Sequence, residues 1–318
     1  MSDPVDAGGA QLRFQVFEST GDMLYRVMEE KFCEQYGLEC RGVRIGAGPA
    51  GIQALLGESL EVSFITTDAA IRAINGGAPV RIVHGIGDRV PFYLVARRGL
   101  ERPNAGEGFP AIMQDFEGKR IGVTGRGAGT ELIGRLLLRE AGMSEDDVTF
   151  VAVGGPPTAY GSLAANQIDA AVMVPPLAEI CDRSDVCETV LNLPTEDGIE
   201  SINALDGTGI VALMSQDYIE KNPEVVKAFL AAVQDAGTWM QDPANFGEYY
   251  AIAQENITLR IPHADEILRE ALQRQLQISD VQVRPAAVEA YIDMLYDMGL
   301  ITEKRPVDQI ISDKALTP

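Results

Sequence analysis

Ala54-Leu-Leu-Gly-Glu-Ser-Leu-Glu-Val-Ser-Phe-Ile65 and Ser162-Leu-Ala-Ala-Asn-Gln-Ile-Asp-Ala-Ala-Val-Met173 stand 108 positions apart and share one pattern. Each reads as a short helix, a tight turn, an apolar-acidic pair and a buried strand. Each strand runs into a distinctive turn, Thr66-Thr67-Asp68 after the first copy and Pro175-Pro176 after the second. The echo predicts two related α/β lobes, and in open parallel sheets such strand ends are where ligands sit.

The same rhythm of short apolar runs and helical patterns continues in both directions. It predicts a mostly parallel sheet with helices on both faces. Leu12-Arg-Phe-Gln-Val-Phe17 alternates as a strand, and Glu18-Ser-Thr-Gly-Asp22 leads into a helix carrying Leu24, Val27, Met28 and Phe32 that ends at Gly37. A weak strand around Val43 and Ile45 and a helix over 52–56 follow, and Arg81-Ile-Val-His84 and Tyr93-Leu-Val-Ala96 read as two more strands. Residues 98–111 are rich in Gly, Pro and charge and read as a linker. Beyond them Gly118-Lys-Arg-Ile-Gly-Val123 opens a fresh α/β unit. That unit continues through a helix over 132–141, the strand Val148-Thr-Phe-Val-Ala-Val153, a helix near 159–165 and the strand Ala170-Ala-Val-Met-Val174. A second crossing is expected near 203–213. Asn222 then reads as the cap of a helix with Pro223 in its first position and Val226, Phe229, Leu230 and Val233 on one face. Helices over 264–276 and 285–298 complete the chain. The expected lobes are 11–100 plus 210–318, and 101–209.

Length and composition agree with this organisation. The 318 residues suffice for two lobes, and 46% hydrophobic with 23% charged residues is ordinary globular usage. No apolar run approaches the roughly 20 residues that span a bilayer. Forty-seven acidic against 26 basic side chains give a formal charge of −21, which repels phosphate backbones and anionic lipid, so nucleic acid is not expected as a partner. The cysteines fall in two close pairs, Cys33 with Cys40 and Cys181 with Cys187. Local disulfides would suit both, but four cysteines allow three connectivities, and four free thiols in a reducing cytosol are the alternative. The gaps do not suit a zinc knuckle, and His84 and His263 stand far from both pairs. Residues 1–10 are small and polar, with no basic segment followed by an apolar one. They read as a mature N-terminus behind an added Met, an export signal having been removed if the disulfides form.

Two glycine motifs invite a ligand. Gly46-Ala-Gly-Pro-Ala-Gly51 matches the dinucleotide fingerprint, but the preceding strand carries Arg41 and Arg44, and only about ten residues separate Gly51 from Val62, too few for the helix that fingerprint needs. No cofactor is therefore expected. Thr124-Gly-Arg-Gly-Ala-Gly-Thr130 is more informative. Alternate glycines between a strand and a helix let backbone amides converge on an anion, while Thr124 and Thr130 add hydroxyls and Arg126 a fork of donors. The competing reading is a plain glycine turn with Arg126 in solvent. Catalytic arrangements are missing: no Gly-x-Ser-x-Gly elbow occurs, and neither histidine has an obvious acid or nucleophile beside it. His84, at the end of an apolar run, reads as a core residue.

Gly48-Pro-Ala-Gly-Ile-Gln-Ala-Leu-Leu56 with Leu60-Glu-Val-Ser-Phe64, Phe116-Glu-Gly-Lys-Arg-Ile-Gly-Val123, Gly154-Gly-Pro-Pro157, Ile168-Asp-Ala-Ala-Val172 and Asn222-Pro-Glu-Val-Val226, in this order and spacing, resemble the substrate-binding proteins of ABC importers of the nitrate, sulfonate and taurine (NitT/TauT, SsuA-like) type. The likeness runs from about Leu12 to Leu316. It implies a type II periplasmic-binding-protein fold, with two α/β lobes joined by two crossover strands near 97–110 and 203–212 and closing over a solute. It further implies a non-enzymatic protein that delivers a small solute to a membrane permease; a monomer in the periplasm is expected, and Arg126 with the surrounding amides favours an anionic solute, a carboxylate or sulfonate. By the same likeness the ligand contacts are Ser19, Thr20, Gly48, Pro49, Thr66, Thr67 and Asp68, then Thr124, Arg126, Gly127, Ala128, Gly129 and Thr130, and finally Pro156, Pro157 and Thr158. Tyr160 is placed either on a ligand ring or in the core. The scaffold is shared with enzymes. Thiamine-pyrimidine synthases carry a cysteine-rich cluster and a reactive histidine that this chain lacks, whereas cytosolic menaquinone-pathway lyases need little beyond a shaped pocket and remain the alternative.

Overall fold

The computed structural model describes residues 6–17, 19–45, 48–195, 199–203, 205–259 and 261–318. Gly46 and Ala47 of the apparent fingerprint, Glu18 of the first strand-end loop and Ala204 in the second expected crossing lie outside them. In chain order the elements are β1 (Ala10–Val16), α1 (Met23–Lys31), β2 (Leu38–Arg44), α2 (Gly48–Leu56), β3 (Ser63–Thr66), α3 (Thr67–Asn75), β4 (Val80–Gly87), β5 (Tyr93–Arg97), β6 (Arg120–Val123) and α4 (Gly129–Glu140). They continue with β7 (Thr149–Ala152), α5 (Pro156–Ala164), β8 (Ala170–Met173), α6 (Leu177–Asp182), β9 (Cys187–Asn192), α7 (Glu200–Asn203), β10 (Ile210–Ser215), α8 (Gln216–Lys221), α9 (Pro223–Gln241), α10 (Phe246–Asn256), α11 (Ala264–Ile278) and α12 (Pro285–Asp297).

The chain divides into a first unit, Met1–Arg89 with Gly207–Thr258 and Leu272–Pro318, and a second, Val90–Asp206 with Leu259–Ala271. The second unit begins about ten residues before the expected boundary at 101. The cause is β5, which is hydrogen-bonded between β8 and β9 in the five-stranded order β7-β6-β8-β5-β9. Segment 259–271 also falls in the second unit, where Arg183 reaches Glu270 at 2.5 Å.

Neither unit has the mostly parallel sheet that the rhythm suggests. In the first, β1 and β2 pair in parallel, but β10 lies antiparallel between β3 and β4. In the second, β6 runs parallel to β7 and β8 while β5 is antiparallel to both of its neighbours. Strand direction depends on how the chain returns from distant segments, which local periodicity does not encode.

The repeat seen in the sequence is a repeated piece of structure. Glu58 and Asn166 end α2 and α5 in the left-handed region, at φ 56° and 54°. In both copies the next amide closes the turn at 2.8 Å, Ser59 N–H donating to the Ala54 carbonyl and Gln167 N–H to that of Ser162. The acid that follows is then clasped by an arginine from a neighbouring strand. Arg13 donates its backbone N–H and its guanidinium to Glu61 and reaches the Glu58 carbonyl at 2.8 Å. Arg120 does the same with Asp169 and the Asn166 carbonyl, also at 2.8 Å. A parallel bridge completes each copy, Phe14 with Val62 and Ile121 with Ala170.

Each core follows from these pairings. Phe14, Tyr25, Phe64, His84 and Phe229 stack or meet edge to face in the first unit, with ring centroids 5.2 to 6.5 Å apart. Tyr93, Val95, Leu163, Ile168, Met173 and Leu177 form a cluster in the second. Both expected cysteine pairs are disulfides, Cys33–Cys40 and Cys181–Cys187. Asn222 precedes α9, but its side chain makes no cap. Its amide instead donates to the Tyr218 carbonyl at 3.1 Å, holding the end of α8.

Candidate functional site

In the first unit the ends of β1 and β3 lie side by side. Gln15 N–H donates to the Val62 carbonyl at 3.0 Å, and the rings of Phe17 and Phe64 are 4.9 Å apart. The loop after β1 is held from within: Phe17 N–H donates to Asp22 Oδ2 at 3.0 Å and Gly21 N–H to Ser19 Oγ at 3.2 Å. Asp22 is buried, and burial pushes its carboxyl up to about 7 against the lowering influence of Arg26. Within this loop Thr20 is fully buried, and its Oγ1 has no hydrogen-bond partner.

After β3, Thr66 occupies the cap position of α3 without using its hydroxyl as a cap, so Thr66 Oγ1 is likewise buried and unpartnered. Thr67 is committed, its hydroxyl donating to the Thr208 carbonyl at 2.7 Å, and Asp68 is paired with Arg72 at 2.9 Å. Gly48 and Pro49 open α2. The following glycine serves packing rather than a phosphate: a Cβ on Gly51 would stand 2.1 Å from Gln15 Oε1 and 2.5 Å from Ser63 Oγ. The false fingerprint therefore marks where a helix presses onto two strands.

In the second unit the loop Thr124–Thr130 is stitched to itself. Thr124 N–H donates to Thr130 Oγ1 at 3.0 Å, and the two hydroxyls are 2.9 Å apart. Glu131, in the first turn of α4 and buried, accepts the Gly127 amide at 2.7 Å. Arg126 is not a free donor fork. Its guanidinium meets Glu131 Oε1 at 3.2 Å and donates to the Phe150 carbonyl at 3.1 Å. Burial alone would raise the Glu131 carboxyl, but the hydrogen bonds from Arg135 and Gly127 and the charges of Arg126 and Arg135 hold it below the usual range. An internal carboxylate thus occupies part of the place where an external anion was expected. Ala128 and Gly129 form the junction into α4. Pro156 and Pro157 start α5, where Thr158 donates to the Gly155 carbonyl at 2.8 Å. Tyr160, half-buried, packs against the core of this unit.

The structure thus groups Ser19, Thr20, Thr66, Thr67 and Asp68 at one sheet edge and 124–130 at the junction of β6 and α4. Sequence reasoning missed Asp22, Glu131 and Thr208, which hold these loops in shape. The first two had a visible signal, an acid within a turn of a helix start after a Ser-Thr-Gly or glycine-rich loop. His84 is fully buried. Its Nδ1 donates to the Gly85 carbonyl at 2.6 Å, so Nε2, 2.9 Å from Tyr25 Oη, is the acceptor, and burial lowers its pKa to about 4. It is a neutral core residue.

The profile of the family described as NMT1/THI5 like matches residues 51–245. A protein of Brucella abortus (strain 2308), named as a binding protein, is 30% identical over 220 residues, 65% of this chain and 59% of that one, and a counterpart in Brucella suis biovar 1 (strain 1330) gives the same values. The match thus spans less than two thirds of those relatives. Among solved structures, the nitrate-binding protein NrtA from Synechocystis PCC 6803 superposes with a TM-score of 0.77 at 14% identity, covering 95% of this chain and 86% of its own. The alkanesulfonate-binding protein SsuA from Xanthomonas axonopodis pv. citri, bound to MOPS, gives 0.73 at 18% identity with 95% and 98% coverage. These likenesses show the periplasmic-binding-protein fold, and together with the profile they bear out the expected resemblance.

Proposed function

Because the chain belongs to the NMT1/THI5-like family, we propose that it is the solute-binding component of an ABC importer, working in the periplasm. In this reading it captures a small polar organic solute by closure of its two units and hands it to a membrane permease without chemical change. The observation that carries the reading is the pair of buried, unpartnered hydroxyls, Thr20 Oγ1 and Thr66 Oγ1, at neighbouring strand ends of the first unit. A buried hydroxyl without a partner costs stability, and a ligand that bonds it recovers that cost. The two disulfides fit an oxidising compartment and speak against the cytosolic lyase. An anionic solute at that loop competes with Glu131 for the Gly127 amide and Arg126.

The test is a thermal-shift screen with small carboxylates, sulfonates, amines and pyrimidines, with mass spectrometry of the screened compounds. Saturable stabilisation without consumption, reduced at least about tenfold in affinity by Thr66→Val, supports the receptor. Consumption of any compound replaces it with the lyase.

A further inference from the structure

A cavity of about 290 Å³ lies wholly within the first unit, walled by the loop after β1, the C-terminal half of α9 and residues 275–281. That volume is at the small end of ligand sites. Its walls are fixed. Gln241 Nε2 donates to the carbonyls of Leu276 and Ser279 at 3.0 and 3.2 Å, tying α9 to the segment after α11. The amides of Gly85 and Asp88 pin the same segment to β4 through the carbonyls of Val281 and Ile278, both at 2.9 Å. Gly237 approaches Val281 so closely that a Cβ there would stand 2.8 Å from its side chain.

Two lining side chains are buried and lack partners at one polar atom each: Thr20 at Oγ1, with 0% of the residue exposed, and Gln275 at Oε1, with 6%. Gln234 and Thr238 stand at exposed positions on the rim. The apolar part of the lining is Leu24, Ile86, Met240 and Val281. Among the described residues no lysine or arginine lines the cavity, and the carboxylate there, Asp280, is paired with Arg284 at 2.8 Å and accepts the Gln282 amide at 3.0 Å.

We infer that this cavity is a binding site for a small uncharged polyol. Such a ligand satisfies the chemistry on both counts. Its hydroxyls donate to Gln275 Oε1 and exchange a hydrogen bond with Thr20 Oγ1, while its C–H edges lie against the four aliphatic side chains. A cation finds a carboxylate already paired, and an anion finds no positive charge among the described lining residues. The site does not rest on the transport reading, which is carried by Thr20 together with Thr66, although Thr20 belongs to both.

The experiment is isothermal titration of the full-length protein with erythritol and xylitol, alongside succinate and 1,4-diaminobutane as charged probes. The expected result is saturable binding of a polyol, weakened at least about tenfold by Gln275→Met, which keeps the side-chain length and removes the acceptor. Thr238→Trp, placed at an exposed rim position so that the fold is not strained, should block binding outright. Circular dichroism establishes that both variants are folded. No saturable polyol binding, preference for either charged probe, or polyol binding that falls with Thr66→Val but not with Gln275→Met each overturns the assignment. If transport ligands fail to bind while erythritol still titrates, the reading under Proposed function fails alone.

Discussion

Replacing Asp22 with Asn should change the stability of the first unit in a pH-dependent way. The Asp22 carboxyl accepts the Phe17 amide at 3.0 Å and, among the described residues, has Arg26 Nε, 3.8 Å away, as its charge partner. Burial raises its pKa from 3.8 to about 7 in the folded protein. The folded state therefore holds the proton more tightly than the unfolded chain, so its contribution is fully present below about pH 4 and is lost as pH rises towards 7. A shift of about three units corresponds to roughly 4 kcal/mol lost above the folded pKa. Asn has the same shape, never ionises, and offers Oδ1 to the Phe17 amide. Near pH 4 the variant and parent should be equally stable, and near pH 8 the variant should be more stable by up to about 4 kcal/mol. Trp239, the single tryptophan, lies in α9 of the first unit, so its fluorescence during urea unfolding reports the relevant transition. A difference between the two proteins that is constant from about pH 4 to 8, or an Asn variant that is less stable near pH 8, would refute the argument.

Gly51→Ala places a methyl group against Gln15 and Ser63 and should cost at least about 2 kcal/mol, whereas Gly161→Ala, mid-helix in α5 with open space around the new carbon, should gain about 0.5–1 kcal/mol in thermal unfolding. Opening Cys181–Cys187 with paired alanine substitutions frees a short loop with a sequence separation of 6 and should lower stability by about 2–3 kcal/mol, a loss that disappears when both proteins are measured in reductant. Glu131→Gln releases part of the hold on Arg126 and the Gly127 amide. If the loop of 124–130 takes anions, the affinity for a sulfonate measured by titration should rise, and a fall would remove that loop from consideration.

Much of this fold could be read from the sequence where the signal is local. The alternation at Leu12–Phe17 and the helix–turn–strand echo survive because each depends only on near neighbours. What stayed hidden depends on distant partners. The strand β9 is a half-buried run with Glu188, Thr189 and Asn192 in it, and it becomes a strand because the edge of β5 is there to pair with. Asn222 has the residue type and position of a cap, yet its side chain caps nothing in α9 and its amide donates to the Tyr218 carbonyl behind it. For Arg126 the sequence offers a donor fork facing an anion or a side chain in solvent, and nothing local reveals that Glu131, five residues on, is its partner. The polyol cavity draws on residues 20, 86, 234–241 and 275–281, a combination that no motif could announce.

The paired clasps bear on how far the two halves of this chain can drift apart. Of the anchor points in each, one is a main-chain carbonyl, at Glu58 and Asn166, which any residue supplies so long as it tolerates left-handed backbone. Only the arginine and the acid are chemically specified, and the acid itself may be Glu61 or Asp169. Within residues 54–65 and 162–173, Leu55 and Leu163 are the sole identical pair, so common ancestry could persist in the geometry long after ordinary alignment had lost it.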